Sequence, residues 1–331
     1  MIISAFSPIN RLAIFALVLL SISAAAPPAP APAAKPPAAE GEIRLVVRAD
    51  DMGAARSVNE ACIHAHRRGI VRSVEVIVPG PWFLDAVRLI KENPKLDVGV
   101  HLCLTSEWER VKWRPLTLAP SLVDADGYFF PMTSQRADFP PNTGFVNANP
   151  KVEEVEKELR AQIETAKRHL GDRVTHISSH MGAATATPPL RVLTQKLAAE
   201  YNLRMEGGNL KRAAGFGSSK SPEGREEALM KLLENLTPGE WLLLEHPAFD
   251  TPEMRAIGHK GYENVAEDRA AVTKAFTSER VKKVIRRMPA MQRPVALASR
   301  LTPSKLAEHN ALIATLGPDA IWLKYSDEVA A

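Results

Sequence analysis

The sequence predicts an α/β fold, an irregular (β/α) barrel of about seven parallel strands that is TIM-barrel-like. Three observations predict it. Short apolar, β-rich runs recur at 43–47, 74–78, 98–104, 174–177, 203–205, 241–244 and 295–298. Most are apolar on both faces, as strands covered on both sides in a parallel sheet must be. Helical patterns stand between most of them. About seven strand–helix units suit a closed or nearly closed barrel better than the alternative, an open doubly wound sheet.

The elements follow in chain order. Residues 1–26 read as a cleavable signal peptide: one basic residue, Arg11, then an uncharged stretch from Leu12 to Leu20, then Ser21-Ile22-Ser23-Ala24-Ala25-Ala26. Such a segment predicts export to a secreted or periplasmic location. Its apolar part is shorter than the roughly 20 residues a spanning helix needs, so no membrane span is expected after cleavage. Residues 27–41 alternate alanine and proline, a stiff linker unable to bury a core. Residues 42–331 remain as one domain with an insertion at 106–149, large enough for a sizeable core.

Ser57-Val58-Asn59-Glu60 opens a helical pattern that runs to Arg68 and stops at Gly69; Pro81 to Lys91 and Pro150 to Leu170 carry two more. The insertion holds Trp108, Trp113, Tyr128, Phe129 and Phe130 without a clean period, the mark of a functional loop or lid. Its aromatics either stack on sugar rings or pack the loop onto the barrel. After 301, a helical pattern at 304–316 and an apolar run at 321–323 predict a terminal helix and strand. A net charge of +4 is small for 331 residues, and its basic groups are scattered. Lys282-Lys283 and Arg286-Arg287 read as the wet face of a helix, so a nucleic-acid surface is discounted. Cys62 falls in a helical pattern and Cys103 in a strand pattern, and both are expected as buried free thiols.

The chemistry gathers at the ends of the strands. Asp50 and Asp51 stand side by side at the end of the first run, where adjacent carboxylates repel unless a cation or a catalytic task accounts for them. An Asx turn closing the strand is the plainer alternative. His101, His176, His180, Glu245 and His246 end later runs. In a parallel barrel all these ends lie on one face, so residues distant in sequence become neighbours. One carboxylate and two imidazoles form an ordinary ligand set for a divalent ion with open positions. Pro247 after His246 favours an extended turn that would hold the imidazole.

Four motifs, Arg48-Ala49-Asp50-Asp51-Met52-Gly53, Gly99-Val100-His101-Leu102-Cys103-Leu104-Thr105, Thr175-His176-Ile177-Ser178-Ser179-His180 and His246-Pro247-Ala248-Phe249, resemble those of the YdjC-like carbohydrate deacetylases, over about 43–300. The resemblance implies an irregular β/α barrel. It implies a metal held by Asp51, His101 and His180, with Asp50 as general base and His246 as candidate acid. Arg204 and His176 would serve the substrate, Arg204 through an acetyl oxygen or a sugar hydroxyl. The expected activity is metal-dependent removal of N-acetyl groups from a carbohydrate, releasing acetate. The cofactor is a divalent ion, Zn2+ or Mg2+, and the partner an N-acetylated oligosaccharide, with a homodimer left open. Two rival functions stand: another metal-dependent hydrolase, of O-acetyl esters or phosphoesters, and a non-catalytic envelope glycan-binding protein. The chain departs from the family where an aspartate usually stands between the two histidines and here is Ser178. Further histidines are replaced by Met181-Gly182-Ala183-Ala184-Thr185.

Overall fold

The computed structural model describes residues 43–206, 210–216 and 221–287. The signal and linker segments, the strand expected at 295–298 and the terminal elements expected after 301 lie outside the described residues. In chain order the elements are β1 (Ile43–Met52), α1 (Arg56–Arg68), β2 (Ser73–Val76), α2 (Phe83–Lys91), β3 (Asp97–Leu102), α3 (Val152–Leu170), β4 (Val174–Ser179), α4 (Pro188–Glu200), β5 (Arg204–Met205), β6 (Lys211–Arg212), α5 (Pro222–Glu234), β7 (Gly239–Glu245), α6 (Pro252–Arg255), α7 (Val265–Thr277) and α8 (Glu279–Arg287).

The seven strands among the described residues are all parallel, in the order β5-β4-β3-β2-β1-β7-β6. The last strand pairs with the first over the full run Ile43↔Gly239 to Ala49↔Glu245. That is the cyclic order of a barrel, with the edges at β5 and β6, and the sheet is a curled half-barrel. Six of the expected strands are found. The seventh is β6, whose two residues, Lys211 and Arg212, carry no apolar signal.

β1 to β4 are buried along nearly their whole length because helices cover them. Helix α1 turns Val58, Ala61, Cys62 and Ala65 inward at helical spacing, and α7 does so with Val265, Val272 and Phe276. Each fully buried valine, leucine or phenylalanine stabilises the fold by about 1.5–3 kcal/mol. Cys62 and Cys103 are buried free thiols. No helix among the described residues is long and apolar enough to cross a membrane.

The long segment between β3 and α3 is pinned by one face of α3. Glu158, fully buried, accepts from Leu116 N, Thr117 N and Thr117 Oγ1 at 3.1, 3.0 and 2.8 Å. One turn before it Glu154 accepts from Ser121 N and Oγ, both at 2.8 Å, and one turn after it Gln162 bonds the backbone of Cys103. Trp108, Trp113, Phe129 and Phe130 are buried, so these aromatics pack the loop onto the barrel.

Candidate active site

The site begins with a flaw in a strand. Successive residues of a regular strand face opposite sides. Between Ala49 and Met52, however, β1 runs three residues against the two of β2 from Val74 to Val76. Asp51 absorbs the extra residue with φ 72°, a left-handed conformation that aspartate tolerates better than most residues. The bulge brings both acids to one side, where His101 Nε2 lies 3.6 Å from Asp51 Oδ1 and 3.8 Å from Asp50 Oδ2. Gly53 closes the turn at φ 97°, and a Cβ there would stand 2.5 Å from Ile77 O.

His101 belongs to β3 and His180 follows directly on β4. Asp51 Oδ1 is 3.3 Å from His180 Nδ1, and one ligand atom from each of Asp51, His101 and His180 lies within 4.8 Å of the others. All three are buried. Each imidazole is held from behind. His101 Nδ1 is hydrogen bonded to Ser178 Oγ at 2.6 Å, and His180 Nε2 to Glu107 Oε2 at 3.0 Å. With those nitrogens protonated, His101 Nε2 and His180 Nδ1 keep lone pairs for the space beside Asp51. Trp113 packs edge-on to His180 at 6.2 Å.

Beneath lies a buried chain of charges. Arg48 Nε and Nη2 donate to Asp50 Oδ1 and Oδ2 at 2.7 and 2.9 Å, a bidentate grip that fixes the carboxylate. Arg48 also reaches Glu206 at 2.9 Å and Glu75 at 3.2 Å, and Glu75 Oε1 is 2.7 Å from His176 Nε2. Burial alone would raise the Glu75 carboxyl, but the charges of His176 and Arg48 bring it down to about 2. His176 answers in kind: burial opposes its charge, yet Glu75 and Asp97 hold its pKa above the ordinary value. His176, expected as a substrate contact, is in register with Gly99, two residues before His101 on β3, and so sits in this lower layer.

The structure places the other expected residues as follows. His246 comes one residue after the Ala49↔Glu245 pair, beside Asp50. It is partly exposed, and its pKa is lowered by burial against the pull of Asp51. Arg204 is exposed on the edge strand β5, in register with His176. Four residues without an assigned role in the sequence reading complete the surroundings: Arg48, Glu75, Glu107 and Arg269. Arg269 Nη1 is 2.8 Å from Asp51 Oδ2. Burial would push the Asp51 carboxyl up, but Arg269, His246 and His180 hold it well below the usual range. For His180 burial acts downward, and Glu107 and Asp51 raise it well above the ordinary imidazole value. Signals for two of the four were present in the sequence: Arg48 and Glu75 are charges set inside otherwise apolar strands, which need buried partners.

The donor set fits a divalent ion. Both oxygens of Asp51 are buried without a well-formed hydrogen bond; Oδ1 faces two imidazole nitrogens, and Oδ2 forms an ion pair with Arg269. One oxygen and two nitrogens leave further positions for water and substrate.

The profile of the YdjC-like protein family matches residues 44–287. The chain belongs to that family. The carbohydrate deacetylase of Thermus thermophilus is 32% identical over 238 residues, which cover 64% of this chain and 80% of that protein. The carbohydrate deacetylase of Brevibacillus brevis is 37% identical over 162 residues, 49% of this chain and 58% of that one. Against the Brevibacillus, Listeria innocua and Vibrio vulnificus relatives the chain spans about six-tenths of their length. A crystal structure from Enterococcus faecalis, provisionally named a cellobiose-phosphate cleavage protein, shares the fold with a TM-score of 0.60. It is 24% identical and covers 77% of this chain and 97% of that one.

Proposed function

We propose that the chain is a metal-dependent carbohydrate deacetylase that hydrolyses the N-acetyl amide of an oligosaccharide and releases acetate. One observation carries the reading: Asp51, His101 and His180 converge within 4.8 Å while Arg48 fixes a second carboxylate, Asp50, beside them. The names of the Thermus and Brevibacillus relatives support the choice of substrate class.

Asp51, His101 and His180 would hold the ion, Zn2+ or Mg2+. When bound, it would polarise the acetyl carbonyl and acidify water. Asp50 takes the proton of the attacking water, its carboxylate held in one orientation by the Arg48 fork. His246, on the neighbouring strand end, returns a proton to the departing amine. Glu107 and Ser178 keep the two imidazoles turned inward. General acid or base help of this kind is worth about two to four orders of magnitude in rate. The segment before the domain fits export, so the substrate would be met outside the cytoplasm.

Metal analysis of the purified chain, paired with acetate release from N-acetylated chitooligosaccharides, O-acetyl sugars and phosphoesters, tests the proposal. Asp51→Asn should lose both metal and turnover. Asp50→Asn should retain metal and lose turnover by about a hundredfold or more. Wild-type turnover in Asp50→Asn would remove Asp50 as the base.

A further inference from the structure

Arg269 has no part in the hydrolysis as assigned, yet it is the cation nearest the triad. It is 5% exposed on α7, and Nη1 stands 2.8 Å from Asp51 Oδ2. The other oxygen, Oδ1, faces His180 Nδ1 at 3.3 Å and His101 Nε2 at 3.6 Å. The two oxygens of one carboxylate are thus divided between two tasks. The guanidinium has little freedom to leave. Trp108 lies under it at 5.1 Å, and α7 is tied to the turn after His246, with Ala248 N donating to Arg269 O at 3.2 Å and Thr273 Oγ1 donating to Ala248 O at 2.7 Å.

The geometry points to Arg269 as a positioning residue that reserves Oδ2, so that Asp51 offers a cation one oxygen only, and that cancels the charge of the one anionic ligand. The inference rests on the reading of Asp51, His101 and His180 as a cation site. Asp51 and Arg269, of opposite charge and 2.8 Å apart, cancel as a pair. A divalent ion there would be held less tightly, would keep its electron-withdrawing power and would be offered a single oxygen by Asp51. Removal of the guanidinium should therefore tighten binding and slow turnover together. A residue that served only to hold the site in shape would do the reverse to binding, because loosened ligands grip an ion less well.

The test is calorimetric titration of the chelator-stripped full chain with Zn2+, alongside acetate release. Arg269→Met should bind Zn2+ about tenfold more tightly than wild type, with kcat reduced and KM little changed. Arg269→Lys keeps the charge and should stay within about threefold of the wild-type affinity. Where Arg269→Met does not fold, judged by circular dichroism, Arg269→Gln provides the neutral variant, with the same sign expected. Equal or weaker Zn2+ binding in the folded neutral variant, with wild type binding normally, overturns this inference alone. A wild-type chain that binds no divalent ion overturns the cation-site reading and this inference with it.

Discussion

Glu107 Oε2 lies 3.0 Å from His180 Nε2, so a carboxylate from the segment between β3 and α3 holds an imidazole that follows β4. That segment is therefore part of the site's support. Glu107→Gln keeps an acceptor for the imidazole N–H but loses the charge that draws the ring inward. Removal of such outer partners typically costs 10–100-fold in metal affinity. We expect about tenfold weaker Zn2+ binding by calorimetry, with the far-ultraviolet circular dichroism unchanged.

Ser178 Oγ holds His101 Nδ1 at 2.6 Å. Ser178→Ala should free the ring to rotate and lower kcat/KM by about tenfold. Ser178→Asp keeps an acceptor for the ring N–H and should retain turnover. Equal steady-state kinetics for alanine and serine would show that the ring needs no such partner.

Gly99 is a packing requirement of the buried charge chain. A Cβ there would stand 2.4 Å from Glu75 Oε2 and 2.5 Å from His176 Nε2, two groups locked to each other. Neither can retreat without leaving a buried charge unpaired. Gly99→Ala should therefore cost about 1–3 kcal/mol of stability, measured by urea denaturation.

Away from the site, His66 gives a pH dependence of stability. Burial is the main cause that lowers its pKa from 6.5 to about 4, although Val71 O, 3.1 Å from Nδ1, favours retention of the ring proton. The unfolded chain therefore binds a proton that the folded chain refuses between pH 6.5 and about 4. Stability rises with pH across that window and is lost as pH falls through it. With allowance for partial exposure, the cost at pH 4 is about 2 kcal/mol. His66→Gln should flatten this part of the profile in urea titrations at successive pH values.

Much of this molecule could be read from its residues, for physical reasons. Runs apolar on both faces specify covered parallel strands, and parallel strands put Asp51, His101 and His180 at one rim, where the structure brings them together. β6 could not be read, because its two residues, Lys211 and Arg212, are basic and give no apolar strand signal. Arg269 could not be read either, since it lies beside Glu267 and Asp268 in a pattern that looks like a solvated helix face. Glu107 lies in an aperiodic loop, where no rule of spacing aims a side chain. The aromatics of that loop allowed two readings, and burial selects the packing one.

The left-handed backbone at Asp51 complicates mutagenesis. Alanine at this position would delete the carboxylate and also put at φ 72° a residue that visits the left-handed region rarely, an added conformational penalty of about 1 kcal/mol. A loss of activity would then confound ligation with a relaxed bulge that also carries Asp50 out of aim. Asparagine, which occupies that region of the backbone map readily, separates the two effects.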